Sequence, residues 1–233
     1  EGTTYPLPPV LADLFESPTL LGLPLTAQGK LVGVMLVDYP EAGPRLDQRR
    51  MNILTGIASQ TGLAIETHRL QQAAAEQQRL ERELEVAQEI QHSFLPDSAP
   101  SIPGWDVAAY YRAARMVGGD FYDFLPLPGG RWGLVVADVA DKGVASALYM
   151  ALSRTLLRAV ARNQDNPAAT LLRVNRLLRE DTRSDLFVTA WYGILHPADG
   201  TVYCSSAGHN PPLVIKHGGQ ETQFLKTKGI ALG

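Results

Sequence analysis

The stretch that decides the fold is VGGDFYDFLPLPGGRWGLVVADVADKG, residues 117–143. Its apolar and β-branched runs predict two strands, Phe121–Leu127 and Trp132–Val139. An acidic turn, GGD at 118–120, enters the first strand. A second acidic turn, DVADKG at 138–143, ends the second strand and opens a helix. The sequence therefore predicts one acidic turn at an end of each strand.

The segments around this stretch also read as strands and helices. Amphipathic helices are predicted at Ala145–Arg162 and Pro167–Asp181. Further strands are predicted at Trp105–Arg112, Phe187–His196, Thr201–Ser206, Pro212–Lys216 and Thr222–Leu225, the last four as a meander. Strands interrupted by two consecutive helices indicate an α+β fold, with helices on a mostly antiparallel sheet.

The two acidic turns hold candidate metal ligands. Paired glycines let the backbone approach an ion or a phosphate closely, and Asp120 and Asp138 stand on separate strands. Carboxylates that converge from two strands suit Mg²⁺ or Mn²⁺, which prefer oxygen ligands. The same composition is also typical of ordinary turns, in which Asp and Gly serve only the backbone. The residues alone leave both interpretations open.

The motifs resemble those of one bacterial enzyme family. GGDFYD at 118–123 and DVADKGVASAL at 138–148 are similar to the N-terminal motifs of the SpoIIE/RsbU-type metal-dependent protein serine/threonine phosphatases, a branch of the PPM family. Three further stretches are similar to the same family in the same order: LEVAQEIQHSFLP at 84–96, FVTAWYGI at 187–194 and AGHNPP at 207–212. The resemblance implies a PPM-type α-β-β-α sandwich, cut short at its C-terminus, over residues 96–233.

The resemblance also implies a reaction and its site residues. The reaction is hydrolysis of phosphoserine or phosphothreonine in a protein by a water that bridges two Mg²⁺ or Mn²⁺ ions. Asp120 and Asp138 would be catalytic through that water, Asp120 holding one ion and Asp138 bridging both, with the Val139 carbonyl as a further ligand. Asp123 is expected to support the ligands from behind. Arg115 is a candidate for orienting the substrate phosphate.

Two further expectations concern the substrate and the completeness of the site. By resemblance, the substrate is a phosphorylated anti-sigma-factor antagonist in a partner-switching pathway. The family's remaining metal aspartates belong to motifs beyond the equivalent of Gly233, so the chain is expected to carry at most half of the carboxylates. Whether it binds metal by itself stays open. The alternative is a catalytically silent dimeric sensor or scaffold, in which the aspartates are only turn residues.

The region before these motifs has a different character. Strand-like runs at Leu20–Leu25 and Leu31–Asp38 flank a turn, and residues 21–70 resemble the closing strands and last helix of a GAF sensor domain. Residues 1–65 are therefore predicted to be the C-terminal part of a GAF-like domain. Neither Gly nor Pro occurs between Gly62 and Pro96, which predicts a helix roughly 50 Å long.

Residues 66–95 of that helix are predicted to form a coiled-coil linker and a homodimer. Its heptad a and d positions hold mostly apolar side chains: Leu70, Ala73, Leu80, Leu84, Ala87 and Phe94. Gln77 and Gln91 occupy the other a positions, where they should weaken the seam but fix its register. Val86 and Ile90 lie off the seam and are expected to pack on the catalytic domain. A helix packed on its own domain is the alternative.

Composition excludes several classes of protein. Of the 233 residues, 45% are apolar and 19% charged, which is typical of globular proteins. A net charge of −3 without a basic cluster argues against nucleic-acid binding. No apolar window reaches the roughly 18–20 residues of a membrane span. A single cysteine, Cys204, fits a reducing compartment, so the expected location is cytoplasmic.

The remaining polar side chains are expected to be structural or solvated. His209 in the AGHNPP turn is interpreted as a turn residue, and Lys142 as an exposed one. Arg154, Arg158, Arg173 and Arg176 follow helical spacing, which predicts that they line solvated faces.

Overall fold

The structure is a computed structural model that describes residues 20–38, 48–113, 116–181, 185–219 and 221–233. The chain divides into two compact units, Glu1–Leu80 and Glu81–Gly233. The boundary lies inside one long helix. Each unit has a hydrophobic core of its own.

The N-terminal unit holds a β-hairpin and the first part of that helix. Strands β1 (Leu20–Ala27) and β2 (Lys30–Asp38) pair antiparallel, as predicted. Both turn residues, Gln28 and Gly29, have positive φ, which suits the twist of a two-residue hairpin. The core consists of Leu23, Leu25 and Ala58. The described residues of this unit form only these two strands, so the GAF-like assignment stays a prediction.

The long helix, α1 (Gln48–Phe94), has 47 residues. It ends just before Pro96, which cannot continue a helix. The side chains of residues 67–83 are all exposed, including Leu70 and Leu80 at heptad positions. Apolar side chains exposed at this spacing are what a coiled coil requires. Dimerisation itself stays a prediction.

The last turns of α1 pack differently from the prediction. Val86 and Ile90 are 56% and 53% exposed and do not pack on the core of the C-terminal unit. Instead, Gln91 is buried, and Phe94 packs against the core of the C-terminal unit. The last two residues of the predicted seam therefore face their own unit, so Gln91 is not available to pair with a second helix. The heptad pattern could not distinguish the two because both faces are apolar there.

The C-terminal unit is built on one antiparallel sheet of four strands. The strands are β3 (Phe121–Leu127), β4 (Arg131–Val139), β5 (Val188–His196) and β6 (Thr201–Ala207), in that order across the sheet. Helices α2 (Val144–Ala161) and α3 (Pro167–Asp181) connect β4 to β5. All six elements lie within one residue of their predicted bounds, and the α+β class is confirmed.

Both helices cover the same face of the sheet. Helix α2 contacts β3 and β4, and α3 contacts β5 and β6. Among the described helices, α2 alone has the length and apolar composition of a membrane span. Its Met150 and Leu157 are buried in the core of the unit, which accounts for that composition. The opposite face of the sheet, here called the outer face, carries Val136 and Trp191 among others.

Three predicted strands behave differently from the prediction. Residues 106–113 have no regular secondary structure, and only an isolated bridge joins Ile102 to Trp105. Strands β7 (Leu213–Lys216) and β8 (Glu221–Phe224) form a separate hairpin rather than extending the meander. The described residues therefore supply one sheet of the predicted α-β-β-α sandwich and its helical layer.

Candidate active site

The two predicted ligand aspartates face each other across the β3–β4 pair. The register places Phe121 opposite Ala137, so the next residues outward, Asp120 and Asp138, lie opposite each other. Side chains alternate along β4, and Ala137 and Val139 are buried beneath the helices. Asp138 therefore projects from the outer face, beside the carboxyl group of Asp120. The structure brings these two predicted site residues together.

The electrostatics of this pair favour a bound cation. Partial burial raises the pKa of Asp120 to about 6, and the neighbouring Asp138 carboxylate acts in the same direction. Within the described residues, the ion pairs leave both carboxylates without an Arg or Lys partner. Two neighbouring carboxylates repel each other, and a shared proton or a bound cation relieves that repulsion. Their oxygens are the donors that Mg²⁺ and Mn²⁺ prefer.

The Val139 carbonyl lies beside the same turn because Gly119 allows a close approach. A β-carbon on Gly119 would lie 2.8 Å from the Val139 carbonyl oxygen and 3.0 Å from the Val139 β-carbon. The Val139 N–H also donates to the Gly119 carbonyl at 3.4 Å. Only glycine fits at this position. The backbone contact thus holds the turn that carries Asp120 against the strand end that carries Asp138.

Thr189 and His209 extend the site to the next strand. Thr189 is the register partner of Asp138 on β5, and its Oγ1 donates to the Asp138 carbonyl at 3.3 Å. The same Oγ1 lies 2.9 Å from Nδ1 of His209. At this distance the hydroxyl and the ring nitrogen share one hydrogen bond, whose donor depends on the imidazole tautomer. Burial lowers the pKa of His209 despite the nearby charge of Asp138, so the ring is neutral near pH 7.

Sequence reasoning found only part of this arrangement. The backbone N–H of His209 donates to Ser206 Oγ at 3.1 Å, which agrees with the turn role expected of it. Its position next to Asp138 was not expected. Thr189 was missed because a threonine inside a strand gives no local signal of function. The only indication was its place in the FVTAWYGI stretch.

Asp123 lies away from this site. It is three residues from Asp120, and the alternation of a strand turns it to the opposite, helix-covered face. There it is 2% exposed, with Arg154 Nε and an Arg158 guanidinium nitrogen each 3.0 Å from its carboxylate. Burial raises the pKa of Asp123, and the two guanidinium groups oppose that shift. The position does not support the expected role behind the metal ligands.

Arg154 and Arg158 also correct the prediction for α2. The Arg154 side chain is only 12% exposed, and that of Arg158 is 35% exposed. The two residues are four apart, so both reach the same carboxylate from one helix face. They tie α2 to β3 and do not line a solvated surface.

A cavity opens on the outer face beside the aspartates. Its volume is about 820 Å³, and its walls are residues 105–112 and the sheet, with Asp120 and His209 contributing polar groups. Burial raises the pKa of Tyr111 in its wall, and the charge of Asp120 adds to the effect. Arg115, the predicted phosphate ligand, lies outside the described residues.

The ligand set present is small. In the part of the chain that the structure describes, no group of three or more His, Cys, Asp or Glu side chains could hold a metal ion. Asp120, Asp138 and the Val139 carbonyl are therefore the donors available. They fit a hard divalent cation by chemistry, with the remaining positions left to other ligands or water.

Comparison with known proteins identifies the C-terminal unit. The family profile of Stage II sporulation protein E (SpoIIE) matches residues 128–233. These residues belong to the SpoIIE family. Protein IcfG of Synechocystis sp. is 32% identical in a match that covers 65% of this chain and 28% of that protein. Phosphoserine phosphatase RsbU of Bacillus subtilis is 26% identical, over 74% of this chain and 50% of that protein.

A solved structure supports the fold of this SpoIIE unit. The SiaA-PP2C domain of Pseudomonas aeruginosa superimposes with a TM-score of 0.59 at 24% identity, covering 69% of this chain and 65% of that one. The unit therefore has a fold of the PP2C kind. The chain spans between 28% and 50% of the length of the two curated relatives described above.

Proposed function

We propose that this chain belongs to a metal-dependent protein serine/threonine phosphatase, with residues 96–233 in its catalytic domain. The observation that carries the proposal is the pair Asp120–Asp138, two carboxylates that face each other without a cationic side chain among the described residues. The names of two relatives, phosphoserine phosphatases RsbU and RsbP of Bacillus subtilis, support this reaction class.

Asp120, Asp138 and the Val139 carbonyl would hold two Mg²⁺ or Mn²⁺ ions. When bound, such ions activate water and neutralise charge on the phosphoryl oxygens. The chain itself supplies the positioning: the β3–β4 register sets the two carboxylates opposite each other, and Thr189 ties the Asp138 backbone to His209. Because the donors stand at the ends of paired strands, little rearrangement is needed to receive a cation.

The proposed substrate is a phosphoserine or phosphothreonine protein, specifically an anti-sigma-factor antagonist of a cytoplasmic partner-switching pathway. The support is the similarity to the two phosphoserine phosphatases. A protein substrate needs an open approach, and Asp120 and Asp138 are both exposed at the edge of the sheet. Arg115 is proposed to orient the phosphate.

The N-terminal unit is proposed to be a GAF-like sensor joined by a dimeric linker. Residues 67–83 of α1 expose Leu70 and Leu80 at heptad positions, and a second copy of this helix would cover them. We expect sedimentation equilibrium to show a dimer, and Leu70→Asp with Leu80→Asp to give a monomer. A monomeric wild-type protein at micromolar concentration would contradict the dimer.

The experiment for the catalytic proposal is a phosphatase assay on the natural full-length protein with a phosphoserine peptide. Turnover should require Mn²⁺ or Mg²⁺, and Asp138→Asn should lower it roughly 100- to 1000-fold, as loss of several kcal/mol of charge stabilisation implies. Asp141→Asn is the matched control. Asp141 is exposed, and asparagine tolerates its positive φ and keeps the oxygen that accepts from the Lys142 N–H.

Three results would contradict the proposal. Turnover that persists in EDTA would show that the reaction does not require a metal ion. Equal losses of activity in Asp138→Asn and Asp141→Asn would show that Asp138 has no specific role. Absence of any turnover would favour the alternative, a silent sensor or scaffold.

A further inference from the structure

Gln91 is a buried polar side chain that the proposed reaction does not use. It is 6% exposed, near the end of α1. Its Nε2 donates to the Gly118 carbonyl at 2.5 Å, and its Oε1 accepts from the Gly118 N–H at 2.9 Å. The two bonds engage both ends of the amide and fix its orientation. The side chain thus satisfies the backbone of Gly118 as a neighbouring strand would.

Gly118 belongs to the turn that carries Asp120. Gln91 holds this turn on one side, and the contact between Gly119 and Val139 holds it on the other. The Val139 N–H bond to the Gly119 carbonyl is long, at 3.4 Å. The two bonds from Gln91 are shorter and therefore stronger. The position of Asp120 thus depends on a side chain from another element, 27 residues away in sequence from Gly118.

Attachment of the helix end to the unit does not depend on the Gln91 amide. Leu95 is buried in the core, and Phe94 packs against it. Tyr122 Oη donates to the Pro96 carbonyl at 3.0 Å. An apolar side chain of similar size at position 91 should therefore leave the helix end in place. Loss of the amide removes only the bonds to Gly118.

We infer that Gln91 is a positioning residue for the metal site, which sets the Asp120 carboxylate relative to Asp138 by fixing the Gly118–Gly119 turn. The inference rests on the proposed function, because it concerns the ions which that function requires. Partners that orient metal ligands without touching the metal contribute about 10- to 100-fold to metal affinity. Loss of the Gln91 amide should therefore weaken Mn²⁺ binding and leave the fold intact.

The test is Mn²⁺ binding to the natural full-length protein, followed by the EPR signal of free Mn²⁺. Gln91→Leu should weaken binding about 10-fold. Gln88→Leu, the same change about one turn earlier, should leave it near the wild-type value. Phosphatase activity of Gln91→Leu should recover when the Mn²⁺ concentration is raised, because no catalytic group is lost. Amide hydrogen exchange at Gly118 should become faster in Gln91→Leu alone.

Several outcomes would overturn the inference. Wild-type Mn²⁺ affinity in a folded Gln91→Leu or Gln91→Met protein would show that the amide does not position the ligand. Loss of folding in both variants would make Gln91 a stability residue only. If the wild-type protein binds no Mn²⁺, the proposed function fails by itself. In that case the amide hydrogen-exchange rate at Gly118 still tests the inference. An unchanged rate in folded Gln91→Leu protein would overturn it, and a faster rate would support the role of Gln91 in fixing the turn.

Discussion

The aspartates on the two faces of the four-stranded sheet have opposite electrostatic environments. On the helix-covered face, Asp123 is buried and neutralised by two arginines from α2. On the outer face, Asp120 and Asp138 lie against each other, and the described residues offer them no basic partner. Asp120 and Asp123 come from the same GGDFYD motif. The difference between them arises from strand alternation alone.

This contrast separates a structural carboxylate from candidate functional ones. A buried charge that is fully paired holds elements together, and here it joins β3 to α2. Two adjacent carboxylates without a cation raise the free energy of the folded state, an arrangement typical of sites that bind one. Replacing Asp123 by asparagine should therefore lower stability, whereas the same replacement at Asp138 should not.

The largest expected effect is on the helix-covered face. Asp123→Asn removes the charge that compensates Arg154 and Arg158, and breaking a buried ion pair in this way costs about 3–5 kcal/mol. Urea denaturation of the 233-residue chain, followed by tryptophan fluorescence, would measure it. All three tryptophans, at 105, 132 and 191, lie in the C-terminal unit.

Asp165→Asn is the control for that substitution. Asp165 pairs with Arg131 at 2.7 Å, but its side chain is 84% exposed. Exposed pairs contribute about 0–1 kcal/mol, so the control should change stability little. Similar losses in both variants would show that burial does not distinguish Asp123.

A smaller loss is expected on the outer face from Gly119→Ala. The added β-carbon would lie 2.8 Å from the Val139 carbonyl oxygen, so the turn must shift, at about 1–3 kcal/mol. The shift would also move Asp120 and weaken Mn²⁺ binding. Gly56→Ala is a control of opposite sign, because Gly56 in α1 has open space around it and alanine favours helix. Thermal melts and Mn²⁺ titration would compare the two variants. If Gly119→Ala changed neither the melting temperature nor the Mn²⁺ affinity, the close approach of Gly119 to Val139 would be contradicted.

The smallest expected effect is the pH dependence of the metal-free protein. The pKa of Asp120 is raised from 3.8 to about 6 in the folded state. Between pH 4 and pH 6 the folded state therefore binds more protons than the unfolded state, and stability falls as the pH rises through this window. Asp120→Asn should remove that part of the slope in melting temperature. An unchanged slope would contradict the coupling of the two carboxylates.

Much of the C-terminal unit could be predicted from the sequence because its signals are local. Apolar alternation and Gly or Pro at the ends gave β3 through β6, α2 and α3 within one residue. The same alternation over Trp105–Arg112 predicted a strand that does not form. A strand requires a partner edge, and a local pattern does not report one. The long helix of α1 followed from the absence of Gly and Pro after Gly62.

The candidate site was predictable in part. Its aspartates came from motif resemblance, and their position opposite each other came from the β3–β4 register, which only the structure gives. The burial of Asp123 could be predicted from the sequence, because it is three residues from Asp120 and strand alternation places the two on opposite faces of the sheet. The partners of Arg154 and Gln91 could not be predicted from the sequence, because they depend on which helix face packs against the sheet or the turn.

The most direct measurement of the central claim is the effect of Mn²⁺ on the melting temperature of wild-type and Asp138→Asn protein at pH 7. A ligand that binds only the folded state raises its stability. We expect Mn²⁺ to raise the melting temperature of the wild-type protein and not that of Asp138→Asn. Without metal, Asp138→Asn should melt at least as high as wild type, because one of two repelling charges is gone. An equal response to Mn²⁺ in both proteins, or a metal-free variant that melts lower, would contradict the account.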